Sequence, residues 1–479
     1  MTAERRIPPR GLRVEGVDSW LGIEFATSER FAGPRLLDLD LEPRYDVYGA
    51  APYQVEDPNQ PLGAAPAERS GYLNVWAPAD RDEAALPVIV NVYGGGFEHG
   101  SGSSWVADGS LIAATGRAVV VSFNYRVGAL GFLTLDHLGH PAASNLGLRD
   151  VIAALEWVRR EIDRFGGDAD AVTVVGESAG GFLATALAAA PAARGLFARL
   201  AIFSAGASRI LPLATARAMG DGIRAALAPD DPARLLEVDA AELVAAQGSV
   251  LATDIGVRNG PVPRAFGVVD DHEASDPVLS GHPARAVRDG ALARIPLLVS
   301  SLQDEIALFR EMAAATFDPS DVEAIVQEVV SWGVEPDRAR GIVDEVAREH
   351  PGTAPGPLRA AVLSDYIYRL PAARLASAQS AAGGTAYLQM IGTVDGVPAG
   401  HALDVPALIG KHWPEATPAA IARDERIAAA LLDFATQGDP GWAACPPEAS
   451  IANGVGELRQ PAGDAYAAIL RRWDGVERP

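Results

Sequence analysis

Cysteine and lysine are almost absent from this chain of 479 residues. Cys445 is its one cysteine, and Lys411 is its one lysine among 40 basic residues. A single cysteine allows neither an intrachain disulfide nor a thiolate zinc cage. The setting Gly410-Lys411-His412-Trp413 fits no phosphate-binding loop and offers nothing for a Schiff base. Positive charge is also short: 62 acidic residues against 40 basic ones leave a formal charge of −22. Such a chain has no electrostatic footprint for nucleic acid or an anionic membrane. Long apolar runs are missing too. The longest uncharged stretch that is mainly apolar, Ser178 to Ala193, carries two glycines and Pro191 and falls short of the ~20 residues a membrane helix needs. Residues Met1 to Pro9 have charge but no apolar segment behind them. No signal peptide is expected, and the chain reads as soluble and cytoplasmic.

What is present is a series of short, β-branched apolar runs. They lie at Pro87–Tyr93, Ala118–Phe123, Ala171–Val175, Ile295–Ser300 and Ala386–Met390. The first is closed by Gly94 and the third by Gly176. Runs of this kind suit strands covered on both faces. Between the second and third lies Leu148 to Phe165, where Val151, Ala154, Leu155, Val158 and Ile162 recur at helical spacing. Strand, helix, strand in this order predicts an α/β fold with a mainly parallel sheet. Asp231-Pro232, Asp318-Pro319 and Glu335-Pro336 read as helix starts. They lie in two helical insertions, approximately 210–260 and 310–370, that are expected to roof a site within one domain spanning 1–479.

The chemistry centres on Gly176-Glu177-Ser178-Ala179-Gly180. This G-x-S-x-G pattern follows a strand run and precedes the helix-forming Phe182-Leu183-Ala184. In that context the serine sits on a tight strand-to-helix turn, exposed as a nucleophile, with free helix N–H groups behind it. A second glycine cluster, Gly94-Gly95-Gly96, directly follows the strand run ending at Tyr93. Bare backbone N–H groups there could stabilise an oxyanion. A serine needs a base, and the base needs an acid to orient it. His401 follows the last strand run, and His99 beside the triple glycine is its rival. Glu305 follows the fourth run directly and is the candidate acid; pattern alone does not exclude its neighbour Asp304. His137, His140, His272, His282 and His350 read as surface or loop residues.

Further motifs run almost end to end: Gly22-Ile23-Glu24-Phe25-Ala26, Tyr72-Leu73-Asn74-Val75-Trp76-Ala77-Pro78, Asn124-Tyr125-Arg126-Val127-Gly128 and Phe165-Gly166-Gly167-Asp168. With the two glycine motifs, this set resembles the type-B carboxylesterases of the α/β-hydrolase fold, which include p-nitrobenzyl esterases and cholinesterases. The resemblance implies Ser178 as nucleophile, Glu305 as acid and His401 as base, with Gly95, Gly96 and Ala179 as oxyanion donors. It also implies a supporting serine at Ser204 and a structural pair at Arg126 and Asp150. The expected activity is hydrolysis of small-molecule carboxylic esters without metal or cofactor. A carbamate or amide hydrolase with the same triad is the alternative, and a non-catalytic binding protein the remote one.

The chain departs from the family pattern in places. Glu68-Arg69-Ser70-Gly71 stands where secreted relatives carry a disulfide cysteine. Ala402 follows His401 where glycine is common, and Phe182 opens the helix where a smaller residue is usual. The choline-binding tryptophan of cholinesterases has no evident counterpart.

Overall fold

The apolar runs form the middle of one sheet in the computed structural model, which describes residues 7–81, 84–227, 231–447 and 450–477. The charged N-terminal residues 1–6 lie outside that set. Ten strands make up the sheet among the described residues: β1 (Leu12–Val14), β2 (Val17–Glu24), β3 (Tyr72–Pro78), β4 (Leu86–Val92), β5 (Val119–Phe123), β6 (Gly167–Glu177), β7 (Arg199–Phe203), β8 (Leu297–Leu302), β9 (Ala386–Ile391) and β10 (Ala452–Val455). Their spatial order is β1-β2-β3-β5-β4-β6-β7-β8-β9-β10. The first three pairings are antiparallel, and every pairing from β5 to β10 is parallel. This is the α/β-hydrolase arrangement expected from the sequence.

The runs are continuously apolar because each strand feeds two cores. Val88, Val90 and Val92 of β4 join the larger core with Val119, Val121, Val174, Leu200 and Ile202. The residues between them, Ile89, Val120, Val175, Ala201 and Leu298, join the smaller one. Helix α1 (Leu146–Glu161) covers the first face through Val151, Ala154, Leu155 and Val158. The long helix Pro418–Gln437 covers the second through Ile427, Leu431 and Phe434. β7 has only four apolar residues, Leu200-Ala201-Ile202-Phe203, after Arg199, too short a run to stand out as a strand in the sequence.

Two of the expected helix starts need correction. Pro232–Leu236 is a 3₁₀ turn, capped by the Asp231 side chain. The helix expected at Asp318-Pro319 begins only at Val322, with Asp321 as its cap. Asp318 is instead paired with Arg310 at 2.7 Å. The third start holds, giving Pro336–Glu349. Arg359, in the helix Pro355–Ser364, ties together segments far apart in the chain. Its guanidinium bonds Asp254 at 2.9 Å, Glu328 at 2.7 Å and the Phe317 carbonyl at 2.8 Å. No helix among the described residues is long and apolar enough to cross a membrane.

The buried pair Arg126–Asp150 is structural. Two 2.8 Å bonds join the side chains, and Arg126 also reaches the Ala32 carbonyl at 2.7 Å. Removing one partner of such a pair strands the other charge away from water. Arg126→Ala is therefore expected to lower unfolding free energy by about 3–5 kcal/mol, with a smaller loss in the double variant Arg126→Met/Asp150→Leu. Urea denaturation checks both; a loss below about 1 kcal/mol for Arg126→Ala would contradict it.

Candidate active site

Ser178 sits between β6 and the helix α2 (Ala179–Ala186), at φ 50° and ψ −122°. A side chain is strained in that region by about 1–3 kcal/mol. The flanking glycines explain how the turn fits. A β-carbon on Gly176 would collide with the Gly180 backbone, and one on Gly180 with the carbonyls of Val92 and Tyr93. The turn thus lets α2 cross directly over the end of β4. The Ser178 amide donates to the Phe203 carbonyl at 3.0 Å, fixing the turn to β7.

Glu305 and His401 arrive at the same end of the sheet, beyond the C-terminal ends of β8 and β9, where ligands bind in open α/β sheets. Their loops are joined by backbone bonds. The His401 amide donates to the Glu305 carbonyl at 3.1 Å, and the Asp304 amide to Ala399 at 3.0 Å. The side chains then form one line. His401 Nδ1 lies 2.8 Å from Glu305 Oε2, and His401 Nε2 lies 2.8 Å from Ser178 Oγ. The other Glu305 oxygen accepts from the Leu302 amide at 2.9 Å. With Nδ1–H directed at a carboxylate, Nε2 is left as an acceptor for the serine proton.

The rival residues lie elsewhere. Asp304 turns to Arg459, 2.7 Å away. His99 is exposed, and its own backbone carbonyl lies under Gly95. His282 is not a plain loop residue: its Nδ1 accepts from the Ala284 amide and caps the helix Pro283–Arg288. Phe182 is buried and packs 6.4 Å from Phe97, so its bulk fills core. The Ser204 hydroxyl is buried and has no hydrogen-bond partner among the described residues, so it is not tied to the three aligned side chains. Ala402 adopts φ 66°, a left-handed backbone that accounts for glycine being common there.

The glycine loop is anchored at both ends. Tyr93 and Tyr125 stack at 4.3 Å and exchange bonds to each other's carbonyls. Gln54 holds Gly100 from both sides at 2.8 Å. Gly95 and Gly96 have positive φ, and their amides have no acceptor among the described residues. The Ala179 amide opens α2, where first-turn N–H groups lack intrahelical partners.

Two buried carboxyls that the sequence reading passed over also face this line. Glu177, the variable residue of the serine motif, has Oε1 3.5 Å from His401 Nε2. Asp404, three residues past the histidine, has no hydrogen-bond partner for either oxygen among the described residues. Burial pushes Glu177 up to about 8 and Asp404 up to about 7. Burial of the His401 ring works downward, but the Glu305 hydrogen bond and the charges of Glu177, Glu305 and Asp404 outweigh it and raise its pKa.

Sequence comparison places this geometry. The sequence profile of the Carboxylesterase family matches residues 8–446. The chain belongs to the carboxylesterase family. It is similar to the para-nitrobenzyl esterase of Bacillus subtilis (strain 168), 34% identical over 384 residues that cover 78% of this chain and 74% of that one. Its fold is similar to that of the Geobacillus stearothermophilus carboxylesterase EST55, with a TM-score of 0.83 and 30% identity over 98% of this chain and 100% of the other. The acetylcholinesterase of Gallus gallus is 42% identical over 186 residues, 39% of this chain and 23% of its own length. This carboxylesterase is a serine hydrolase of carboxylic esters.

The two raised carboxyls predict a pH-dependent stability. An acid whose folded pKa lies above its unfolded value stabilises most below the unfolded pKa, and that stability is lost as pH rises through the folded value. The window runs from about pH 4 to about 8 for Glu177 and to about 7 for Asp404. Glu177→Gln and Asp404→Asn are expected to raise Tm much more at pH 9 than at pH 5, as followed by thermal circular dichroism. Equal shifts at both pH values would contradict these assignments.

Proposed function

We propose that ester hydrolysis in this carboxylesterase runs through Ser178, His401 and Glu305. The observation that carries the reading is the imidazole bridged at 2.8 Å to the serine on one side and to the carboxylate on the other. His401 Nε2 takes the Ser178 proton as Oγ attacks the ester carbonyl carbon. The oxyanion accepts hydrogen bonds from the amides of Gly95, Gly96 and Ala179, each such donor being worth a factor of roughly a hundred to a thousand in rate. His401 returns the proton to the leaving oxygen, and the alcohol departs from the acyl-enzyme. Water, deprotonated by the same imidazole, attacks the acyl carbon; Ser178 regains its proton and the acid leaves. Glu305 keeps Nδ1 protonated and stabilises the imidazolium at each transfer.

The helical insertions form the roof over this site in a single domain. Three contacts support that role: Phe309 lies 5.3 Å from the His401 ring, Arg258 pairs with Glu98 in the glycine loop, and the Gln247 amide oxygen accepts from Ala129 at 2.6 Å. The substrate class is small-molecule carboxylic esters, as the family match supports. A p-nitrobenzyl ester, which gives the Bacillus subtilis relative its name, is the first to try. The lone, buried Cys445 fits a reducing cytoplasm.

Removing the nucleophile while leaving the fold intact is the direct test. Ser178→Ala is expected to lower kcat on p-nitrophenyl acetate by roughly a millionfold, as nucleophile deletions do in serine hydrolases. Turnover within tenfold of the parent would overturn the assignment.

A further inference from the structure

Residues 355–381 run as one helix with an interruption. Pro355–Ser364 is α-helical, Asp365–Arg369 is a π-turn, and Leu370–Ala381 is α-helical again. Pro371 explains the interruption. Inside a helix its ring clashes with the carbonyl four residues back, here Ile367, and it supplies no N–H to that turn. A wider turn moves the carbonyl aside. Turns of this type occur often at functional sites, and this one is wholly buried.

The wide turn meets the acid–base loops at three points. Ser364 Oγ accepts from the Ile306 amide at 3.1 Å, and Arg369 donates to the Gln303 carbonyl at 3.0 Å. These two bonds bracket Glu305. Between them Tyr368, itself buried, lays its ring 4.5 Å from the His401 ring at 32°. Phe309 covers the imidazole from the helix Ala307–Phe317 at 5.3 Å and 36°. The titratable groups facing the ring are Glu305 from the β8 loop, Glu177 from the serine turn and Asp404 from its own loop, the last backed by the Arg423 cation.

We propose that the π-turn is a positioning device for the acid–base pair, in which Tyr368 holds the His401 ring by its face and stabilises the imidazolium through its π-electrons. Ester cleavage makes that cation transiently. An aromatic face within about 6 Å attracts a desolvated cation, so it favours the charged form over the neutral ring. The bonds to Gln303 and Ile306 fix the carboxylate loop in the same frame. This role rests on His401 being the base.

The test is the pH profile of kcat/KM in the full chain, read with p-nitrophenyl acetate. The variants are Tyr368→Phe, Tyr368→Leu and pentafluorophenylalanine at position 368, with His401→Ala as the control. Pentafluorophenylalanine keeps the ring's shape and reverses its face charge, so it remains informative if the leucine variant does not fold. Tyr368→Phe is expected to stay within threefold of the parent with the same acid-side midpoint. The leucine and pentafluoro variants are expected to lose roughly 3- to 30-fold, with the midpoint lowered by about 0.5 to 1. Parental rate and midpoint in the pentafluoro variant would overturn the role of Tyr368. An active His401→Ala would instead overturn the underlying reading, and the two failures are separate.

Discussion

The backbone at Ser178 is the constraint on which the site depends. An L-residue held at φ 50° would relax if its neighbours gave way. They do not, because Gly176 and Gly180 already bring α2 into contact with the ends of β4 and β6, closer than any side chain would allow. The amide bond to Phe203 closes the remaining direction. The strain is therefore held by sheet packing, and it points Oγ at the histidine. The same crossing puts the first N–H groups of α2 beside the glycine loop, so nucleophile and anion donors come from one turn.

A second frame meets the first from the other side of the site. The loops after β8 and β9 are joined by backbone bonds, so Glu305 and His401 are held in one frame. The helix carrying the π-turn grips that frame at Gln303 and Ile306, and its ring faces the imidazole. The cluster avoids burying three negative charges together. Glu305 is committed to two hydrogen bonds, whereas Glu177 and Asp404 have few partners and hold their protons toward neutral pH. One ionised carboxylate beside the histidine orients it. Three would set like charges against each other in a space with little water.

Much of this was legible in the residues because the sheet is built from runs with one physical explanation. Val88-Ile89-Val90 and Val119-Val120-Val121 feed both cores, so their continuous apolarity marks buried strands. The serine turn was legible through its glycines, which are needed for clearance. Choosing between Asp304 and Glu305 was beyond sequence pattern, since the decision rests on Arg459, more than 150 residues away in the chain. Tyr368 was hidden for a related reason: its position depends on a turn widened around Pro371, and helical spacing alone aims it elsewhere. The helix after Asp318-Pro319 was misplaced because two acids nearby can cap, and Arg310 had already engaged the first.

Covalent capture reads the central claim most directly. A fluorophosphonate ester reacts with a serine only where a base activates it and donors receive the developing oxyanion. Labelling the full chain to complete inactivation, followed by peptide mass mapping, identifies the serine that reacted. One adduct per chain, on Ser178, is the expected result. An inactivated enzyme labelled on another residue, or an active one that takes no label, would contradict the assignment of Ser178.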